Sequence, residues 1–426
     1  MKKALLPTKP RAVAKSLIML MVGIAAFFGN ALAHASIKTT AAGTPAPVVM
    51  LSLDGFRNDY ITRGYSPNLA KLANTGLTSE GLIPVFPSST FTNHYSIVTG
   101  MYPQRHGLVG NTFYDRGRDQ TYRISNRKAV EDGSWYRGTP LWVAVEKAGG
   151  VAASFYWVGS EADIQGVRPS HYRRYDGRVK NSQRVQQVLS WLQLPAAQRP
   201  NLITFYFSDV DSVGHNFGPN SAEVNSAIAK VDREIGQLLQ GLATLPFQVN
   251  LIITSDHGMA EVKLDQTRYF SDWIDMAQWQ QNSKVITGGA YAYFYSNNSY
   301  LLKNTQKVLK NVQGLSVYPQ GRFPKEMRLG DGPRSPDFVV TVDSPGYLLV
   351  RRPKGRANIP AGAHGYLPST HSNMQGLFVA KGPNITPGRV ASFENIHVYP
   401  FVMSLLSLNT DEQIDGDPTV LAAFLR

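Results

Sequence analysis

Three short apolar runs in this chain each stop at side chains of the metal-ligand type. Val48-Val49-Met50-Leu51-Ser52-Leu53 ends at Asp54. Leu202 to Phe207 is followed by Asp211 and His215. Leu251-Ile252-Ile253-Thr254 leads straight into Asp256-His257. A short continuous apolar run is what a strand buried on both faces looks like. Open α/β sheets gather their ligands at the carboxyl ends of parallel strands. The pattern therefore points to an α/β fold with a mostly parallel central sheet flanked by helices. Thr90, just before a helix-like stretch, and a later His364-Gly365 complete the set. Three Asp, three His and one hydroxyl suffice for two divalent ions with open positions, the equipment of a two-metal hydrolase acting on phosphoryl groups.

At 426 residues, one large α/β domain with a substantial insert is expected rather than several small ones. The first residues read as a secretory signal. Lys2, Lys3, Lys9, Arg11 and Lys15 form a positive start, Ser16 to Gly29 is mostly apolar, and Ala31-Leu32-Ala33 is an A-x-A cleavage pattern. Residues 1–33 are thus expected to be removed, with the cut falling as late as 35. The competing reading, an uncleaved anchor, suffers from an apolar stretch shorter than the ~20 residues a spanning helix needs. The mature protein is expected to have no membrane span. The signal suits a bacterial export route, so the expected location is the periplasm or the medium beyond it. The chain has no Cys, which excludes disulfides, thiolate nucleophiles and Cys-based zinc sites. The formal charge of +13 is spread along the chain, with only short clusters such as Arg173-Arg174 and Arg351-Arg352. Solvated loops explain this better than a groove for a stable nucleic-acid partner.

Residues 34–47 read as a leader, and 48–426 as the catalytic domain. Pro67 to Thr75 suits a helix with Leu69 and Leu72 on one side, and residues 140–149 suit another, ending at Gly149-Gly150. Val151 to Val158 is a further strand candidate. After Pro219, Val224, Ile228, Val231, Ile235, Leu238 and Leu242 recur at helical spacing, with Asn220 and Glu223 as a capping box. Val249 to Thr254 then resumes a strand, giving the strand–helix–strand order of a parallel sheet. Residues 260–360 are rich in Tyr, Asn, Gly and Pro with poor periodicity, and read as a smaller inserted subdomain or cap. Gly376 to Ala380 returns to the main sheet.

Each chemical motif has a plain alternative. Asp54-Gly55 is a common metal position and a common turn. Thr90 stands where helix N–H groups would favour an anion, or it is a simple N-cap. A threonine hydroxyl is a weak nucleophile unless a metal or base lowers its pKa. A metal on Asp54, Asp256 and His257 would do so. Asp211 and His215, four apart, share one face in a helical turn, or form a surface ion pair. Asp256 and His257 need a bend to converge, which Gly258 permits. His364 gains weight only by completing the set. His94, His106, His171, His371 and His397 read as structural or supporting.

Several blocks now combine. Thr90-Phe91-Thr92-Asn93-His94-Tyr95, Thr99-Gly100-Met101-Tyr102-Pro103, His106-Gly107 and Gly110-Asn111 resemble the nucleophile region of the nucleotide pyrophosphatase/phosphodiesterase family, within the alkaline phosphatase superfamily. Trp135-Tyr136-Arg137-Gly138-Thr139-Pro140-Leu141-Trp142, Trp157-Val158-Gly159-Ser160-Glu161, Asp211 to His215, Ser255 to Met259 and His364-Gly365 resemble further blocks of it. The resemblance runs from about 48 to 405 and implies an alkaline phosphatase-like sandwich. It implies two Zn2+ ions, one on Asp211, His215 and His364, the other on Asp54, Asp256, His257 and the Thr90 oxygen. Thr90 would attack phosphorus to form a phosphothreonine, and Asn111 would donate to a nonbridging oxygen. Phe91 and Tyr206 would sandwich a nucleobase, with Tyr175 near the substrate. Core packing is the alternative role for these rings. The chain departs from the family at Tyr366-Leu367-Pro368, where an Asp-Asn tail is usual, and at Asp209, where Glu is often found. It shows no counterpart of the Cys-rich and nuclease-like modules of animal secreted members, and is expected to be a catalytic domain alone.

The expected activity is hydrolysis of phosphodiester and pyrophosphate bonds in nucleotides or other small phosphodiesters, releasing nucleoside 5′-monophosphates. A phosphomonoesterase of the same superfamily is the nearest alternative, but it needs extra cations that the motif blocks lack. A non-catalytic periplasmic nucleotide-binding protein is the alternative from another class.

Overall fold

In the computed structural model, the described residues are 45–279, 283–353, 359–409 and 412–426. The signal-peptide reading and most of the leader fall outside them. The central sheet has eight strands. Its middle is formed by β1 (Val48–Leu53), β2 (Leu202–Phe207) and β3 (Asn250–Thr254), with β1 between the other two. Both pairings are parallel, with Val48 opposite Leu202 on one side and Asn250 on the other. Beyond β2 lie Ala152–Phe155 and His171–Arg173, both parallel. Beyond β3 lies Phe378–Lys381, antiparallel, then Leu77–Ser79 and Gly388–Val390. The return of the chain near Ala380 to the main sheet is thus as expected.

The apolar run of β1 is continuous because both faces are covered. Val48 and Met50 join one core with Leu202 and Ile252. Val49, Leu51 and Leu53 join the other with Ile203, Phe205 and Ile253. The second core is closed by helices that include Pro67–Thr75 and Asn181–Leu192. The longest closing helix is Ala222–Ala243, whose Val224, Ile228, Val231, Ile235 and Leu238 are buried. Its N-cap is Ser221, whose Oγ accepts the Val224 N–H at 3.2 Å. Asn220, the expected cap, is instead drawn away by Arg57 and Arg63, which donate to its Oδ1 at 3.3 and 3.1 Å.

The region 260–360 contains a separate four-stranded antiparallel sheet in the order Ser283–Thr287, Tyr291–Ser296, Phe338–Val342, Leu315–Pro319. Tyr291, Tyr293 and Tyr295 face the large core of the main domain. Ala292 and Phe294 face a local core with Phe270 and Trp279. No helix among the described residues is long and apolar enough to cross a membrane.

One buried histidine ties this scaffold to pH. His106 is fully buried. Its Nδ1 accepts the Leu108 N–H at 3.1 Å, so Nε2 carries the proton and donates to Ser96 Oγ at 2.9 Å. Burial, aided by the Arg334 cation, holds its pKa down at about 3. A native-state imidazole that stays neutral while the unfolded one protonates loses stability as pH falls. The window runs from the ordinary 6.5 down to about 3, at about 1.4 kcal/mol per pH unit. His106→Gln should flatten the stability-versus-pH curve of the native chain across that window. An unchanged slope in urea titrations at pH 6.5 and 4.5 would contradict this role.

Candidate active site

The three central strands deliver the carboxylates. Asp54 follows β1 directly, and Gly55 beside it adopts a left-handed φ of 63°. A Cβ there would lie 2.9 Å from Asp211 Cβ, so only glycine lets the two loops approach. Asp211 and His215 follow β2 on the helix Asp209–Phe217, four residues apart, with His215 Nε2 3.4 Å from Asp211 Oδ1. Asp256 and His257 follow β3. Gly258 serves close approach there: a Cβ would sit 2.1 Å from the Asn373 carbonyl oxygen. His364 comes from the loop after the short strand Gly362–Ala363.

These residues form two triads. Asp211, His215 and His364 make one; Asp54, Asp256 and His257 make the other. Within each triad the ligand-type atoms lie within 4.8 Å of one another. The His257 and His364 rings stack at 3.7 Å between centroids and join the triads. All three imidazoles are oriented the same way. Nδ1 of His215, His257 and His364 each lies 2.8 Å from a backbone carbonyl, of Gly362, Gly258 and Ser88. A carbonyl only accepts, so Nδ1 carries the proton and the Nε2 lone pair faces the carboxylates. Backbone-fixed tautomers of this kind are typical of metal-ligating histidines.

The donor set suits cations. Asp54 Oδ1, Asp211 Oδ1 and Asp256 Oδ2 are buried without a hydrogen bond, a costly state for a carboxylate unless a cation meets it. Burial, with Asp256 and Asp211 alongside, pushes the Asp54 carboxyl well above the ordinary range. Burial acts on Asp256 the same way, but His257 and His94 together outweigh it and hold Asp256 well below. Burial and the neighbouring His257 and His215 keep His364 well below its usual pKa, hence neutral. Imidazole and carboxylate donors fit zinc.

Thr90 is the first residue of the helix Thr90–Thr99, with Ser89 at the N-cap position. The Thr90 Oγ1 lies 3.3 Å from His257 Nε2. His94, one turn on, fastens this end. Its Nδ1 is 2.9 Å from the Thr90 carbonyl and 3.2 Å from Asp256 Oδ2, and its Nε2 is 2.8 Å from Ser52 Oγ. The i to i+4 spacing from Thr90 was the only sequence signal for that role. Asn111 Oδ1 accepts the Phe91 N–H at 2.9 Å, which leaves the Asn111 amide hydrogens available as donors.

Beside Thr90 opens a cavity of about 420 Å³ lined by Phe91, Tyr156, Trp157, Tyr175 and Tyr206, among others. Tyr206 is nearly buried and its hydroxyl donates to Asp54 Oδ2, while Tyr175 is 45% exposed. All the expected site residues therefore converge: six ligand candidates and Thr90 at the triads, Asn111 against Phe91, and three rings around one slot.

A mostly parallel α/β sheet with paired His/carboxylate triads at its strand ends defines an alkaline phosphatase-like fold. The family model described as type I phosphodiesterase/nucleotide pyrophosphatase matches residues 48–367. The chain belongs to the nucleotide pyrophosphatase/phosphodiesterase family. It is 35% identical over 375 residues to human ectonucleotide pyrophosphatase/phosphodiesterase family member 1, covering 85% of this chain and 40% of that protein. It is 33% identical over 372 residues to the venom phosphodiesterase CdcPDE of Crotalus durissus collilineatus, covering 85% and 44%. The chain thus spans less than half the length of these curated relatives. Among solved structures, murine ectonucleotide pyrophosphatase/phosphodiesterase 5, as an inactive threonine-to-alanine variant in complex with AMP, superposes with a TM-score of 0.82. The identity is 25%, over 89% of this chain and 100% of that one.

Proposed function

We propose that this protein is a zinc-dependent hydrolase of phosphodiester and pyrophosphate bonds in nucleotides, releasing nucleoside 5′-monophosphates through a phosphothreonine. The observation that carries the reading is the position of Thr90: its hydroxyl stands against His257 and lines the same cavity as Phe91, Tyr175 and Tyr206. Asp211, His215 and His364 would hold one ion, and Asp54, Asp256, His257 and the Thr90 oxygen the other. When bound, the ions would neutralise phosphoryl charge and lower the pKa of hydroxyl groups at the site.

The chain's own groups account for the rest. Thr90 Oγ1 forms the bond to phosphorus as the leaving oxygen departs on the opposite side. The Asn111 amide, held by the Phe91 N–H, donates to a nonbridging oxygen. Phe91 and Tyr206, with Tyr175 at the mouth, hold the base. Water then cleaves the phosphothreonine. The lining of the slot favours a diester. Among the described residues its one basic side chain, Arg127, is already paired with Glu131 and Glu161, so no unpaired side-chain cation there meets the second negative charge of a monoester. The positive, then apolar, stretch of residues 1–33 with Ala31-Leu32-Ala33 supports export to the periplasm or beyond.

The test compares kcat/KM of zinc-loaded protein for a nucleotide aryl diester, a plain aryl diester and an aryl monoester. The nucleotide diester is expected to lead and the monoester to trail. A monoester preference would overturn the proposal in favour of a phosphatase.

A further inference from the structure

The mouth of the aromatic slot is held by a chain of ion pairs that begins inside it and ends beside Tyr175. Glu161 lines the cavity and is 7% exposed. It pairs with Arg127, which also lines the cavity. Arg127 Nη2 continues outward to Glu131 at 3.2 Å, and Glu131 Oε2 meets Arg174 Nη2 at 3.1 Å. Arg174 immediately precedes Tyr175. The Tyr175 backbone N–H also acts on the Glu161 carboxylate, against the upward pull of burial. Tyr175 itself meets Tyr156 edge-on at 5.1 Å and Tyr206 at 6.5 Å. Its ring is exposed, so packing alone holds it weakly.

Among the described residues, Glu131 is the link with contacts to both arginines and no place in the cavity wall. We infer that Glu131 is a positioning residue, setting the Tyr175 segment over the nucleotide slot by bridging Arg127 and Arg174. This inference rests on the nucleotide reading above. A bound base would not touch Glu131, so any influence on affinity must pass through the residues it holds. Exposed ion pairs are individually weak. Their effect belongs in KM for substrates that carry a base, and in sensitivity to salt.

The experiment uses the zinc-loaded protein with the nucleotide aryl diester and the plain aryl diester. Glu131→Ala is expected to raise KM for the nucleotide substrate about three- to fivefold with kcat unchanged. The plain diester should be turned over as before. Arg174→Ala should reproduce the effect, and added salt should shrink the difference between wild type and variant. In a Tyr175→Ala background, Glu131→Ala should add nothing. An unchanged KM, an equal loss on both substrates, or a loss that persists without Tyr175 would each overturn the inference. Failure of the functional reading looks different: the wild-type protein itself would show no preference for the nucleotide diester.

Discussion

Thr90→Ala is expected to lower turnover of a nucleotide diester by a thousand- to a millionfold on the order of other nucleophile removals, while both cations stay bound. The substitution deletes one oxygen that contacts His257 and leaves all six His and Asp donors in place. The helix Thr90–Thr99 should persist, because its first turn is held by other groups. Asn93 Nδ2 donates to the Pro87 and Ser89 carbonyls, and His94 Nδ1 bonds the Thr90 carbonyl, which alanine retains. Metal content after dialysis, measured with single-turnover kinetics, separates the roles. Full activity in the variant would remove Thr90 as nucleophile. Loss of one cation would show that the Thr90 oxygen is needed to hold the ion proposed on Asp54, Asp256 and His257.

Arg334→Met is expected to cost about 3–5 kcal/mol of stability, the range for stranding one member of a buried ion pair. Arg334 is 4% exposed. Its Nε donates to Asp115 Oδ2 at 2.8 Å, and Nη1 donates to the Gly107 and Trp135 carbonyls, each at 2.7 Å. The guanidinium also lies over the Phe113 and Trp135 rings. Removing it leaves the buried Asp115 Oδ2 and two carbonyls without that donor, while Asp115 Oδ1 keeps the Gly117 and Arg118 N–H groups. Adding Asp115→Asn should recover part of the loss, because the stranded charge goes with it. Denaturant titration of the single and double variants measures both steps. The surface pair Arg178–Asp176, whose arginine is 91% exposed, supplies the contrast, since Arg178→Ala should leave the midpoint where it was. A midpoint equally unmoved in Arg334→Met would mean that Asp115 is solvated or repaired by Arg118, 3.8 Å away.

The central sheet was legible in the sequence because burial on both faces writes an unbroken apolar run, as in Val48–Leu53 and Leu202–Phe207. The ligand candidates were legible for a related reason. Side chains that follow such runs sit at one end of the sheet, and Asp211 and His215 keep helical spacing. The inserted sheet was obscure because Tyr291–Ser296 is buried on both faces by large polar-tipped rings, so neither alternation nor a purely aliphatic run appears. The cap at Ser221 was misplaced by one residue. Its competitor Asn220 is claimed by Arg57 and Arg63, partners more than 150 positions away that no local pattern reveals. The network from Glu161 to Arg174 was invisible for the same reason, since it joins loops that meet only in three dimensions.

The candidate cation ligands are scattered from Asp54 to His364. A chain made or threaded through a membrane from its N-terminus exposes Asp54 first and His364 much later. Until the His364 segment arrives, the triad it shares with Asp211 and His215 lacks a member, and a half-emerged chain offers that ion two donors rather than three. On the proposed two-ion reading, full loading would wait for the His364 segment. If the chain is exported as proposed, its second ion would be acquired on the far side, from whatever pool that compartment supplies.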